Sequence, residues 1–388
     1  MSRTICRNLV CLLLLVTPLS ASGAPAPRDL TISAPDGVNL KGTYYTASAP
    51  GPAVLLLHMC NTDRRSWDPL ARQLSEAGIH TLTVDYRGFG ESEGPRFASL
   101  GRVAALQAIN GQWPGDIDAA LAYLLSLPGV DGTRVGVGGG SCGVTQAVAV
   151  ARRHKNVRSL LLLAGPLDGE GRRFLLRNPW LPVFASAAAD DQYDADAPEA
   201  MRWLTDLSGN PRNVFVGFAD GKHGTEMFAP HPELPQQIVR WYADTLVTTV
   251  ASPTEPVTPK ASAAREFWTL VEGGKVADAA QSFHAARARD PKAFMFPEPA
   301  MNLAGYELLQ NKNTKDAVAL FLLNVEAFPE SANAQDSLGD GYLADGQNAL
   351  ALAAAEKCLA MLPAAPLDEQ VKAGIRQSAE EKIKAIKK

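Results

Sequence analysis

Between residues 134 and 148 the chain reads Arg134-Val135-Gly136-Val137-Gly138-Gly139-Gly140-Ser141-Cys142-Gly143-Val144-Thr145-Gln146-Ala147-Val148. A short β-rich run ends in three glycines, a Gly-x-Ser-x-Gly pentapeptide follows, and a helix-forming stretch begins at Val144. Glycine on both sides of a serine at a strand-to-helix junction has a mechanical reason. The serine backbone is strained there, and close packing leaves no room for Cβ atoms at the flanking positions. Ser141 is therefore the candidate nucleophile. Cys142 lacks the glycine two residues later, since Val144 stands there, and does not fit the same turn.

A serine hydroxyl needs a base to take its proton. Of the six histidines, His58 ends a strand before the serine, His80 precedes a strand, and His154 lies in the helix after it beside Arg152 and Arg153. His284 falls in the repetitive C-terminal region, and His231 starts a helix between prolines. His223 alone sits in a glycine-flanked loop, Gly221-Lys222-His223-Gly224-Thr225, directly after the last strand candidate. The third member, which orients the imidazole, is sought after the strand Pro182–Ala187. Asp190 and Asp191 are both offered there by Ala188-Ala189-Asp190-Asp191-Gln192-Tyr193. The residues alone leave that pair open.

Around this centre the chain alternates strands and helices, which predicts an α/β, doubly wound, mostly parallel sheet. The strand candidates are Leu40–Thr46, Ala53–His58, Thr81–Asp85, Arg134–Gly138, Arg158–Ala164, Pro182–Ala187 and Asn213–Phe218. Helices are predicted over Ser66–Ala77, Asp116–Leu127, Val144–His154, Ala197–Ser208 and Leu234–Val247, several with apolar residues three and four apart. Residues 24–249 thus form one domain. Residues 250–262, with Pro253, Pro256 and Pro259 among Thr and Ser, read as a linker. From 263 to 388 the chain repeats: aligning Pro291, Pro329 and Pro363 also aligns Ala279, Ala317 and Ala351, then Phe283, Phe321 and Ala355. This pattern resembles three tetratricopeptide repeats, an all-α unit, and the wider first spacing marks an insertion near Phe294–Pro299. A last amphipathic helix over Leu367–Lys387 is expected to cap the array.

Composition limits the function classes. With 388 residues the chain exceeds one ordinary core, and 37 basic against 41 acidic residues give a net charge of −4, no field for a polyanion. Nucleic acid is not expected as a partner. Residues 1–23 carry Arg3 and Arg7, an apolar run from Leu9 to Leu19, and small residues to Gly23, the layout of a secretory signal. That run falls short of the roughly 20 residues needed to span a bilayer. Export to the periplasm or the medium of a bacterium is the expectation, with no membrane span after processing. Cys60, Cys142 and Cys358 would remain, an odd count that argues against a disulfide framework. No spacing resembles a metal-ligand set, and neither metal nor cofactor is expected.

The strings LLLHMCNTDRRSW, VDYRGFGESEG, VGVGGGSCGVTQA, ASAAADDQY and GKHGTEMF together resemble the dienelactone-hydrolase-like and serine-aminopeptidase-like branch of bacterial α/β-hydrolases. The likeness spans roughly Leu40 to Leu246. It implies a Ser141, Asp191, His223 triad, in the chain order of that fold. It favours Asp191 over Asp190 and implies an oxyanion hole from the backbone of Cys142 and of Met59 or Cys60. Met59 departs from the glycine common there, and dienelactone hydrolases use cysteine where this chain has Ser141. The expected activity is cleavage of an ester, thioester or lactone of a small substrate through an acyl-enzyme. The alternatives are a peptidase on short peptides or a protein that binds a partner through its repeats. In such a fold Cys60 and Cys142 lie near each other, leaving their pairing to be decided. With Pro166–Leu181 too short for a full cap, the loop Phe97–Pro114 is expected to roof part of an open pocket, with Trp113 and Phe97 either its apolar contacts or equally ordinary packing residues.

Overall fold

The computed structural model describes residues 25–388. The signal-like segment 1–23 lies outside the described residues. Eight strands, β1 (Arg28–Ser33), β2 (Asn39–Tyr45), β3 (Gly51–Leu57), β4 (His80–Val84), β5 (Val130–Gly140), β6 (Val157–Leu163), β7 (Val183–Ala188) and β8 (Val214–Phe218), form one sheet in the order β1-β2-β4-β3-β5-β6-β7-β8. The pairs β1–β2 and β2–β4 are antiparallel, and every pairing from β4 through β3 to β8 is parallel. The central strands explain themselves chemically. β3 (GPAVLLL) and β4 (HTLTV) are buried at every position, as strands covered on both faces must be.

The helices α1 (Asp68–Glu76), α2 (Arg102–Gln107), α3 (Trp113–Ser126), α4 (Cys142–Arg153), α5 (Gly169–Arg177), α6 (Ala197–Ser208) and α7 (Glu233–Tyr242) accompany this sheet. The predicted seven strands are present within a residue or two, except that β5 begins earlier, at Val130. β1 is an addition at the edge, with mostly exposed side chains and one buried, Ile32. Two stretches not predicted to be helical contain helix, one of them the expected loop Phe97–Pro114. Pro166–Leu181 contains α5, capped by the Asp168 carboxylate, which accepts from Gly171 N at 2.6 Å. Phe97–Pro114 contains α2 and a wide helical turn that runs into α3.

Seven more helices follow: α8 (Ala263–Glu272), α9 (Val276–Arg289), α10 (Glu298–Gln310), α11 (Thr314–Ala327), α12 (Ala332–Ala344), α13 (Asn348–Met361) and α14 (Glu369–Ile386). α8 packs on α9, α9 and α10 both pack on α11, α11 packs on α12 and α12 on α13, and α14 covers α12 and α13. None of the described helices is long and apolar enough to cross a membrane.

Residues 250–262 have no regular structure but are not a free tether. Lys260 N donates to Gly209 O at 2.7 Å, and Ser262 Oγ donates to Asp206 O at 3.0 Å. Arg265 then donates to the carbonyls of Leu207 and Ser208, satisfying the C-terminal end of α6. One hydrophobic core continues from the sheet into the helical region, holding Leu175 and Trp203 together with Phe267, Trp268, Phe283 and Phe296. At its centre the Arg172 guanidinium of α5, 2% exposed, lies 4.1 Å from the Trp268 ring and pairs with Glu272 at 2.8 Å and Glu307 at 3.3 Å.

Candidate active site

Ser141 sits between β5 and α4 with φ 52° and ψ −124°, a conformation that a residue with a side chain occupies only when its surroundings compel it. The surroundings do so. Ser141 N donates to Leu163 O at 2.9 Å, tying the turn to β6. A Cβ at Gly139 would collide with the Gly143 carbonyl, and one at Gly143 would lie 2.6 Å from Leu57 O. The flanking glycines are therefore required by backbone-to-backbone approach. Ala164 and Lys222 also have positive φ, so three of the four described non-glycine residues in that region border the carboxyl end of the sheet. Backbone strain of this kind gathers where function holds it in place.

His223 and Asp191 come from loops after β8 and β7. The imidazole is 6% exposed, and its Nδ1 donates to Asp191 Oδ2 at 2.7 Å. The other carboxylate oxygen accepts from Tyr193 N at 2.8 Å and Asp194 N at 3.2 Å, so Asp191 is held by its own loop. Asp190 turns the other way. Its Oδ1 accepts from Lys222 N at 2.8 Å, bracing the loop that carries His223. Of the two carboxylates left open by the sequence, Asp191 lies on the ring and Asp190 on the backbone. Glu226 adds a second brace, accepting from His223 N at 3.2 Å, and the Tyr193 ring meets the imidazole edge-on with centroids 4.7 Å apart. Ser141 and His223 line one cavity of about 370 Å³.

Cys142 is the first residue of α4, where a backbone N–H has no intrahelical acceptor and the helix dipole favours negative charge. The other candidate donors, Met59 and Cys60, follow β3. Met59 is fully buried, and its side chain lies against both Gly140 and Gly224, beneath the elbow and the histidine loop together. A disulfide joins Cys60 to Cys142, with Cα atoms 5.9 Å apart, and Cys358 is free and buried. The bond therefore fastens the two segments that carry the candidate oxyanion donors to each other.

His58, fully buried beside them, is positioned by two hydrogen bonds. Tyr86 N donates to its Nε2 at 3.1 Å, and its Nδ1 donates to Met59 O at 2.6 Å. Both bonds suit the neutral ring. Burial holds its pKa below the ordinary histidine value, and His80 is depressed for the same reason. A proton that binds the unfolded chain but not the folded one favours unfolding. The stability these rings contribute is complete above the unfolded value of about 6.5 and is lost as pH falls from there toward the folded values. We expect Tm to drop between about pH 7 and about pH 5. His58→Gln should flatten part of that slope, and an unaltered slope in thermal melts would contradict this account.

The roof differs from expectation. Trp113 is fully buried and stacks on Tyr86 with centroids 4.2 Å apart, while Phe97 stacks on Phe89 at 4.9 Å. Neither lines the cavity, because the Phe97–Pro114 segment folds onto the sheet as helix and packs its aromatics inward. The cavity is instead walled by Leu167, by Trp203 and Leu204 of α6, and by Pro297–Ala300 at the start of α10. That last segment was not anticipated. Its signal was the wider spacing of the first repeat, with its extra prolines near Phe294–Pro299.

The alpha/beta hydrolase family model matches residues 54–330, an interval that crosses 250–262 and includes α8 to α11. An uncharacterized protein of Mycobacterium tuberculosis is 32% identical over 168 residues, 43% of this chain and 55% of that protein. A thiohydrolase of Eupenicillium brefeldianum is 25% identical over 198 residues, 50% of this chain and 60% of that protein. The chain spans about half the length of these curated relatives. Among solved structures, an esterase of Pyrococcus furiosus aligns with a TM-score of 0.47 at 16% identity, covering 57% of this chain and 91% of that one. A dienelactone hydrolase of Anabaena variabilis aligns with a TM-score of 0.46 at 19% identity, covering 57% and 99%.

Proposed function

Because the chain belongs to the alpha/beta hydrolase family, we propose that it is a serine hydrolase that cleaves an ester or thioester of a small substrate through an acyl-enzyme. The observation that carries this reading is the strained Ser141 turn opening on the same cavity as the His223–Asp191 pair. Ser141 Oγ attacks the carbonyl. With Nδ1 donated to Asp191, Nε2 of His223 takes the hydroxyl proton and later returns it to the leaving group. The developing oxyanion is met by Cys142 N–H and by an N–H of the Met59–Cys60 segment. Water then repeats the sequence to release the acid. The direct test is hydrolysis of p-nitrophenyl acyl esters, p-nitrophenyl thioesters and aminoacyl anilides. Ester or thioester turnover supports the reading, and turnover of the anilides alone makes the protein a peptidase.

The disulfide supports export to an oxidising compartment, as the N-terminal residues suggest. It also yields a prediction. Cys60→Ser with Cys142→Ser unfastens the Met59–Cys60 segment from the elbow, and displacement of an oxyanion donor by about 1 Å costs up to roughly 10²-fold. The double variant should lose about 10- to 100-fold in kcat while keeping its fold by circular dichroism; undiminished kcat would show that the bond does not hold the donors.

The helical domain is proposed to be three tetratricopeptide-like pairs with α14 as cap. Support comes from Ala279, Ala317 and Ala351, all fully buried, and from Gly305, where a Cβ would strike the Phe321 ring. A partner peptide on the repeats is a second reading, but the packing of α8 on α5 and α6 favours a role within the enzyme itself.

A further inference from the structure

We propose that the helical domain is the lid of this active site, and that its Pro297–Ala300 segment forms the acyl-binding wall for a compact apolar acyl group that carries no negative charge. The inference rests on the serine-hydrolase reading and goes beyond it by naming where the acyl group sits and what it is. The cavity lined by Ser141 and His223 is lined as well by Pro297, Glu298, Pro299 and Ala300 and by Trp203 and Leu204. These are apolar surfaces apart from Glu298. The acyl chain of an ester attacked by Ser141 has this space to enter, and the catalytic domain alone does not enclose it.

The wall is rigid for reasons visible on both sides. Phe296, 2% exposed, lies between the rings of Phe267 and Phe283 with centroids 5.1 and 5.7 Å away. Trp268 Nε1 donates to Met295 O at 3.0 Å. Buried Asn324 donates to Glu298 O at 3.3 Å and to Asn302 Oδ1 at 2.8 Å, and Asn333 donates to the Glu298 carboxylate at 2.8 Å. From the catalytic side, Arg172 Nη1 reaches Ala300 O at 3.4 Å. Residues from α5, α8, α9, α10, α11 and α12 thus fix one short segment over the serine. Such an arrangement discriminates by size, because a preformed wall does not yield to an extra methylene.

Charge excludes part of the remaining substrates. The ionisable side chains lining the cavity besides His223 and Tyr193 are Asp194, Asp196 and Glu298, and no Lys or Arg among the described residues joins them. An acyl group ending in a carboxylate would meet like charge with no partner, whereas a neutral apolar one meets proline, leucine and tryptophan.

The test compares kcat/KM across p-nitrophenyl acetate, butyrate, hexanoate and octanoate for the wild-type protein and Pro299→Trp. It adds the p-nitrophenyl monoester of glutarate against the valerate for the wild type and Glu298→Gln. The added indole should lower the octanoate-to-acetate ratio about tenfold or more. Wild type should prefer valerate over the glutarate monoester, and Glu298→Gln should narrow that gap. Glu298→Gln keeps its amide partners and serves if Pro299→Trp does not fold. An active enzyme whose chain-length ratio and charge preference are the same in both variants overturns the lid assignment alone. A wild type inactive on every ester and unlabelled by a fluorophosphonate overturns the hydrolase reading as well, so the two failures are told apart.

Discussion

Ser141→Ala should lower kcat by about 10⁶-fold, roughly 8 kcal/mol of transition-state stabilisation, with little change in Tm. The size of the effect follows from the proposed role of the serine as the group that forms the covalent bond. Removing it leaves only the contribution of the oxyanion donors and binding. The stability expectation follows from geometry. Alanine keeps the Cβ that already occupies the φ 52° conformation, so the backbone is strained equally in both proteins. Ser141→Gly tests that statement from the other side: glycine enters positive φ without penalty, and Tm should rise by an amount worth about 1 kcal/mol. Calorimetry of the three proteins together with ester hydrolysis reads both effects. A variant Ser141→Ala with near wild-type turnover would remove Ser141 from the mechanism.

Ending the chain at Pro259 should abolish stable folding of the catalytic domain. The shared core buries Phe267, Trp268, Phe283 and Phe296 against catalytic-domain residues or against one another. At about 1.5–3 kcal/mol for each large apolar side chain fully buried, the lost contribution is on the order of the whole stability of a domain. Arg172 makes the loss worse. Its guanidinium is 2% exposed, and its ion-pair partners Glu272 and Glu307 both belong to the helical domain. Truncation exposes the apolar surface around Trp203 and leaves that charge without partners. The full chain should therefore melt in one calorimetric transition and the truncated one should be insoluble or molten. A truncated protein that is soluble, monomeric and as thermostable as the full chain would show that the two regions fold independently.

How much of this was legible in the sequence depended on whether the signal was local. Gly139 to Gly143 carries its own explanation, since backbone approach at a strand-to-helix turn demands glycine, and β5 and α4 on either side have opposite periodicities. His223 was legible because one loop alone joined the last strand to a flexible glycine pair. Asp191 and Asp190 could not be separated by sequence chemistry, because adjacent carboxylates differ only in which way each side chain points. β1 was not seen: an edge strand with one face to solvent and a single buried residue, Ile32, lacks the apolar run that marked the inner strands. α5 was hidden by Gly169, Gly171 and three arginines, and Arg172 turns out to be buried for reasons lying in another domain. The misplaced roof has the same origin. Trp113 and Phe97 are near the site in sequence order but pack on Tyr86 and Phe89. Pro297–Ala300 reaches the serine from far along the chain, and periodicity carries no information about such a non-local meeting.

The most direct test of Ser141 as the activated nucleophile is reaction of the folded, disulfide-intact protein with a fluorophosphonate, followed by peptide mass spectrometry. A single adduct on Ser141, absent from Ser141→Ala and strongly slowed in His223→Ala, is the predicted result. No adduct on well-folded wild type, or an adduct on a different residue that survives Ser141→Ala, would contradict it.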